Sequence, residues 1–174
     1  MKTTMLAPEA RDFAERVREY DWDGELVGYA RRIAALLEPD DGWLQVGRSF
    51  LDRYCSLPAS GLAHGDISTS TFEERAAGCA LYAKLKFDDP LGTAWRDRAI
   101  VHAEHARKRG VPIATQLAAL TRAHGRTLEL IAERNTEGES ALRLYACVVQ
   151  RLATIEAEVM TAHLSRIDEE AARH

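Results

Sequence analysis

The chain has 174 residues, of which 46% are hydrophobic and 29% charged, and its formal net charge is −4. This balance is typical of one globular domain with a buried core, and it argues against a nucleic-acid-binding surface, which is usually basic. The longest unbroken apolar run covers only residues 144–149, far short of the about 20 residues that a membrane-spanning helix needs. The N-terminal residues also lack the apolar stretch of a secretory signal. We therefore expect a cytoplasmic protein that binds neither nucleic acid nor a membrane.

Apolar residues recur with the 3.6-residue period of amphipathic α-helices along almost the whole chain, and no segment alternates as a half-buried strand does. In chain order, the pattern predicts helices at residues 8–20, 24–37, 40–57, 70–88, 93–109, 112–134 and from 140 to near the C-terminus. Proline ends the second and third of these helices, because it cannot continue a helix. The predicted fold class is all-α, a bundle of about seven helices with a long C-terminal helix.

Polar residues mark two of the predicted helix starts. The Asp40–Asp41 pair supplies carboxylates that suit the N-terminus of the third helix. Ser70 and Thr71 each precede a glutamate by three residues, which predicts a capping box at the start of the fourth helix.

The last predicted helix changes character along its length. Its apolar stripe continues to Val159, whereas the segment after His163 is mostly charged, with Leu164 and Ile167 as its large apolar residues. Such a segment either frays at a C-terminus or continues as a two-stranded coil, and we favour the second interpretation. We predict a domain at residues 1–163 and the start of a connecting helix at residues 164–174, leading to an output domain.

Motifs of common enzymes are absent from the sequence. It contains no phosphate-binding glycine loop, no G-x-S-x-G elbow, no H-E-x-x-H and no pair of Glu-x-x-His motifs. We therefore expect no catalytic activity in this chain. His102 and His105 lie three residues apart in the fifth helix, near one face, where they could bind a metal or a cofactor. The alternative for each is a core histidine that hydrogen-bonds locally.

The order of segments resembles the globin-coupled sensors, protoglobin-like domains of bacterial signalling proteins, including their haem-free relatives. In this family the domain is a dimeric sensor with a globin-like fold, often haem-bound, which drives a diguanylate cyclase, a chemotaxis transducer or a kinase. The resemblance covers nearly the whole chain. The matching segments are EYDWDGELVGYARRIAALLEP, SFLDRY, AKLKFDDPLGTAW, HAEHARKRGVPIATQLAAL and LYACVVQRLATIEAEVMTAHL.

The resemblance also indicates where haem would bind. In haem-binding members a histidine stands four residues before the glycine of a Gly-x-Pro corner, but here Ala106 has that position and His105 precedes it. These members carry a tyrosine directly after an early phenylalanine, whereas here Leu51 follows Phe50 and Tyr54 lies one turn further on. By resemblance, the candidate cofactor-binding residues are His105, His102, Phe50 and Tyr54, with His105 on the haem iron.

Three hypotheses follow. The first is a sensory domain that signals through homodimerisation of its last two helices, with haem as a possible cofactor and an output domain in cis. The second is a haem-free globin-like module that dimerises or docks a partner through the same fold. The third is a metal-dependent helical enzyme that uses His102, His105 and a carboxylate such as Glu104.

Overall fold

The computed structural model describes residues 8–174, and this part of the chain is all-helical, without a β-strand. The predicted all-α class is therefore confirmed. The α-helices are α1 (Pro8–Glu19), α2 (Leu26–Leu37), α3 (Gly42–Ser56), α4 (Thr69–Asp88), α5 (Thr93–Lys108), α6 (Ile113–Arg134) and α7 (Glu139–Ala172). Three single turns of 3₁₀-helix lie between α2 and α4.

The start of α3 differs from the prediction. Asp40 and Asp41 both adopt left-handed backbone angles, with φ of 52°, and neither side chain caps the helix. Left-handed backbone is uncommon for residues other than glycine and indicates local strain. Arg134 on α6 holds this junction, because its guanidinium donates to the carbonyl oxygens of Leu36 at 3.1 Å and Pro39 at 2.8 Å. The two aspartates therefore form a tight corner between α2 and α3.

The start of α4 is also displaced from the predicted capping box. Ser68 is the N-cap, and its hydroxyl oxygen accepts a hydrogen bond from the backbone N–H of Thr71 at 3.2 Å. Ser70 and Thr71 thus lie inside the first turn of the helix. A serine two residues earlier satisfies the unpaired backbone N–H groups of the first turn. The sequence therefore predicted a hydroxyl cap at this helix start correctly but assigned it to the wrong residue.

Helices α3 and α4 pack closely because one of them carries a glycine at the crossing. A Cβ on Gly47 would overlap the carbonyl oxygen of Ala76 and would lie 2.8 Å from the backbone nitrogen of Ala80. Behind this crossing, the main core joins side chains of all seven helices, and Trp95 is its largest fully buried member. The close approach of α3 and α4 forms one wall of the site described below.

Helix α7 has 34 residues and is therefore about 50 Å long. Its first two-thirds contribute Tyr145, Leu152, Ile155 and other residues to the core, whereas nearly all residues from 165 onward are exposed. The predicted boundary after residue 163 falls inside this continuous helix. Its exposed end still contacts the domain, because Arg107 on α5 donates to Asp168 at 2.6 Å. No helix within residues 8–174 combines the length and the apolar character that crossing a membrane requires.

Candidate functional site

A small cavity lies between α3, α4, α5, α6 and α7, at the centre of the domain. Its volume is about 30 Å³, room for about two water molecules. Most of its wall is apolar and includes Phe50, Phe87, Leu120 and Met160. Polar side chains nevertheless reach it from three of these helices. Burying polar side chains in such surroundings costs free energy unless they are hydrogen-bonded. The hydrogen bonds of the cluster therefore show which of its members are paired.

The cluster is centred on Glu156 of α7, whose side chain is fully buried. Its carboxylate accepts hydrogen bonds from Lys86 Nζ at 2.8 Å and from His124 Nε2 at 3.0 Å. The hydroxyl of Tyr82 also donates to it. Lys86 and Tyr82 belong to α4 and His124 to α6. Glu156 therefore ties α4 and α6 to α7 through three donors.

The electrostatics keep Glu156 ionised. Burial opposes the charged form, but the Lys86 ammonium and the hydrogen bond from His124 outweigh it and hold the pKa of this carboxyl far below its ordinary value. Burial and the neighbouring Glu156 charge raise the pKa of Tyr82 well above 10, so the phenol stays protonated and donates. The core thus contains a charged, hydrogen-bonded pair whose partners lie on different helices.

This pair predicts an acid-labile fold. The pKa of Glu156 is lowered on folding, so its stabilising contribution is present above the ordinary glutamate pKa of about 4.3 and is lost as the pH falls below it. In urea titrations, the wild type should lose about 1.4 kcal/mol per pH unit below about pH 4 relative to a Lys86→Met/Glu156→Leu variant. The other carboxylates titrate in both proteins and cancel. Parallel pH profiles for the two proteins would contradict the prediction.

A second polar feature of the cavity has no partner. Gln116 of α6 is only 4% exposed, and its Oε1 accepts no hydrogen bond from any residue of the described part of the chain. His102 of α5 also lines the cavity, with its ring centroid 5.2 Å from that of Tyr82. Burial lowers the pKa of His102, which favours the neutral imidazole. Within residues 8–174, the side chain of His102 makes no hydrogen bond. Gln116 and His102 therefore both have hydrogen-bonding groups without a partner in this part of the chain.

The four residues predicted from the resemblance do not form one site. Phe50 and His102 line the cavity. Tyr54 is buried beside it in a separate apolar cluster and stacks on Phe50, with ring centroids 5.8 Å apart. His105, the expected iron ligand, is exposed and does not line the cavity. Because it precedes the buried Ala106 by one residue, it lies about 100° away from that residue around α5.

The residues present in the cavity do not fit a haem. Pockets for cofactors usually measure about 300–1,000 Å³, an order of magnitude more than this cavity offers. Lys86 lines the cavity and is ion-paired with the buried Glu156, so the wall carries a buried charge beside its apolar side chains. His105 would have to turn inward from the surface of α5.

The geometry also differs from the predicted metal-dependent site. Within the described residues, no group of three or more His, Cys, Asp or Glu side chains is arranged to hold a metal ion. Glu104 faces α7 and accepts a hydrogen bond from His163 at 2.7 Å instead of approaching His102. His102 is half-buried and His105 is exposed, so the two rings lie in different environments.

Sequence reasoning missed Lys86, Glu156 and Gln116. A signal for Glu156 was available: it lies four residues after Leu152 and four before Met160, so a glutamate interrupts a buried stripe. Lys86 similarly follows Tyr82 by four residues. A charged residue at such a position predicts a buried pair, but the sequence does not show which cation meets which anion.

No known protein family, curated protein or solved structure significantly matches this chain.

Proposed function

We propose that this chain is a haem-free, globin-like regulatory domain of a cytoplasmic bacterial signalling protein, which dimerises and transmits a change in its core along α7. The observation that carries the proposal is the position of Glu156. This fully buried residue belongs to the long helix whose end leaves the core, and it receives hydrogen bonds from α4 and α6. Any change in the polar cluster therefore acts directly on α7.

The resemblance to globin-coupled sensors supports a globin-like fold. Its matching segments correspond to α2, the end of α3, the α4–α5 junction, α5 with the start of α6, and α7. In that family the last helices lead to an output domain such as a diguanylate cyclase, a chemotaxis transducer or a kinase. We propose the same arrangement here, with an output domain in cis and no catalytic role for this chain.

A two-state core gives the physical basis for signalling. A buried ion pair is stable only with good geometry, so a packed core accommodates it in discrete arrangements rather than by continuous deformation. An event that favours one arrangement of the pair shifts the population of the corresponding α7 position. The shift would pass to residues 164–174, where α7 has few contacts with the rest of the domain.

The outer faces of α6 and α7 support dimerisation through these helices. Each helix has, on the side away from its core residues, a stripe of partly or fully exposed residues without a charge. On α6 the stripe is Ala114, Ala118, Thr121, Gly125, Leu128 and Ala132. On α7 it is Ala146, Gln150, Ala153, Ala157 and Thr161. Small, uncharged residues at this spacing let two helix pairs approach closely, as in a four-helix bundle.

The dimer is tested by a charge at the centre of the α6 stripe. Leu128→Glu should raise the dimer dissociation constant at least tenfold in sedimentation equilibrium, because the symmetry of the interface brings two new carboxylates together. Leu81→Glu is the matched control, since Leu81 is more exposed than Leu128 but lies on α4. A monomeric wild type at high concentration would contradict the proposal, as would an equal effect of the two substitutions.

A further inference from the structure

We infer that the central cavity is a binding site for a small neutral molecule that donates a hydrogen bond to Gln116 Oε1, a molecule of the short amide or alcohol class. The inference rests on the proposed function, because it names the signal that such a regulatory domain would bind. It starts from the unpartnered acceptor of Gln116, which is buried in the cavity wall.

The other polar groups of the cavity define the charge of the ligand. Lys86 and Glu156 neutralise each other, and Lys86, His124 and Tyr82 each direct one donor at Glu156. Burial raises the pKa of the Cys79 thiol to about 11 and lowers that of His102, so both groups are neutral near pH 7. No unbalanced charge remains to hold an ion, and the site favours a neutral ligand.

The hydrogen-bonding groups of Gln116 and His102 define the polar end of the ligand, beside the remaining N–H donors of Lys86. Gln116 Oε1 requires a donor, and the neutral imidazole of His102 offers one donor and one acceptor. An amide matches this set, because its N–H groups donate to Gln116 while its carbonyl accepts from His102. A hydroxyl group also both donates and accepts. A buried acceptor left without a donor costs about 1–3 kcal/mol, so a matching ligand gains affinity from this contact.

The size and the apolar wall define the remainder of the ligand. A volume of about 30 Å³ admits only a molecule of a few non-hydrogen atoms. Phe50, Leu120 and Met160 would contact its apolar end. A water molecule bonded to Gln116 would satisfy the acceptor but would make no apolar contact with these side chains. A short molecule with one polar and one apolar end matches both the hydrogen-bonding groups and the apolar wall of the cavity.

The test uses three molecules of nearly the same shape: acetamide, 2-propanol and acetone. Each is titrated into the ¹⁵N-labelled full chain, and amide shifts along α6 are followed by NMR. Acetamide, 2-propanol or both should give saturable shifts near Gln116, with dissociation constants of about millimolar for so few atoms. Acetone, which has no donor, should bind at least tenfold more weakly. Equal binding of all three would overturn the inference, and so would the absence of saturable shifts.

Substitutions add an independent control. Gln116→Leu should weaken binding at least tenfold, whereas Gln45→Leu, on α3 and outside the cavity lining, should leave it unchanged. Unchanged binding by Gln116→Leu would overturn the inference. If Gln116→Leu fails to fold, the comparison of acetone with acetamide and 2-propanol in the wild type still tests whether binding requires a donor on the ligand. Sedimentation of the same samples separates the two proposals: a dimer without binding overturns only this inference, whereas binding by a strict monomer overturns only the proposed function.

Discussion

Replacing Lys86 with methionine is expected to lower the free energy of unfolding by about 3–5 kcal/mol, because the substitution leaves the Glu156 carboxylate buried without its cation. Lys86 and Glu156 have side-chain exposures of only 3% and 0%, so bulk water does not solvate the charge that remains. Glu156→Leu should destabilise the protein to a similar degree, since it strands the ammonium group instead. Urea unfolding followed by circular dichroism measures both effects.

The double variant Lys86→Met/Glu156→Leu should regain most of the lost stability. Two apolar side chains of similar size can replace a buried pair at little cost, although Tyr82 and His124 lose their acceptor. The matched control is Arg143→Met, which breaks an ion pair whose two side chains are each 77% exposed, and its effect should be small. The account would be contradicted if Lys86→Met cost no more than Arg143→Met, or if the two core substitutions were simply additive.

Gly47→Ala is expected to lower the free energy of unfolding by about 2–3 kcal/mol, because the new methyl group meets backbone rather than a movable side chain. The added Cβ would overlap the carbonyl oxygen of Ala76 and approach the nitrogen of Ala80, so α3 and α4 must separate. Gly47 also lines the cavity, so the separation would change the space beside Lys86. Thermal and urea unfolding measure the loss.

Gly78→Ala provides the matched control for this substitution. Gly78 lies on the exposed side of α4, and a Cβ there would have no atom within 4 Å. Alanine is favoured over glycine inside a helix by about 0.5–1 kcal/mol, so this variant should be slightly more stable than the wild type. Destabilisation by both substitutions, or by neither, would contradict the close α3–α4 contact.

Periodicity was sufficient to predict the helices because most of them are amphipathic and are separated by local signals. Pro39 follows the end of α2, Pro58 that of α3, and Gly110, with a left-handed φ of 74°, follows the C-cap residue Arg109 of α5. Proline and glycine end a helix through local backbone geometry, so these helix ends are predictable without tertiary contacts. The errors at Asp40–Asp41 and Ser68 concern which of several nearby polar residues caps a helix, a choice that tertiary contacts such as that of Arg134 decide.

The centre of the candidate site was harder to predict because it depends on contacts between distant parts of the chain. Lys86 and Glu156 are 70 residues apart, and only the packing of α4 against α7 brings them together. His105 lies outside the cavity for a different reason. A residue next to a buried one on a helix points about 100° away from it. A histidine shifted by one position from the pattern of the resembling family therefore lies on the surface instead of in the core.

We propose that the buried polar cluster, rather than haem, occupies the core of this domain. It is tested most directly by the absorption spectrum of the protein expressed with abundant haem. The account predicts no Soret band for the wild type, His102→Ala or His105→Ala, because neither histidine faces a space that admits haem. A strong Soret band in the wild type, lost in one of the two variants, would contradict the account and identify a haem sensor.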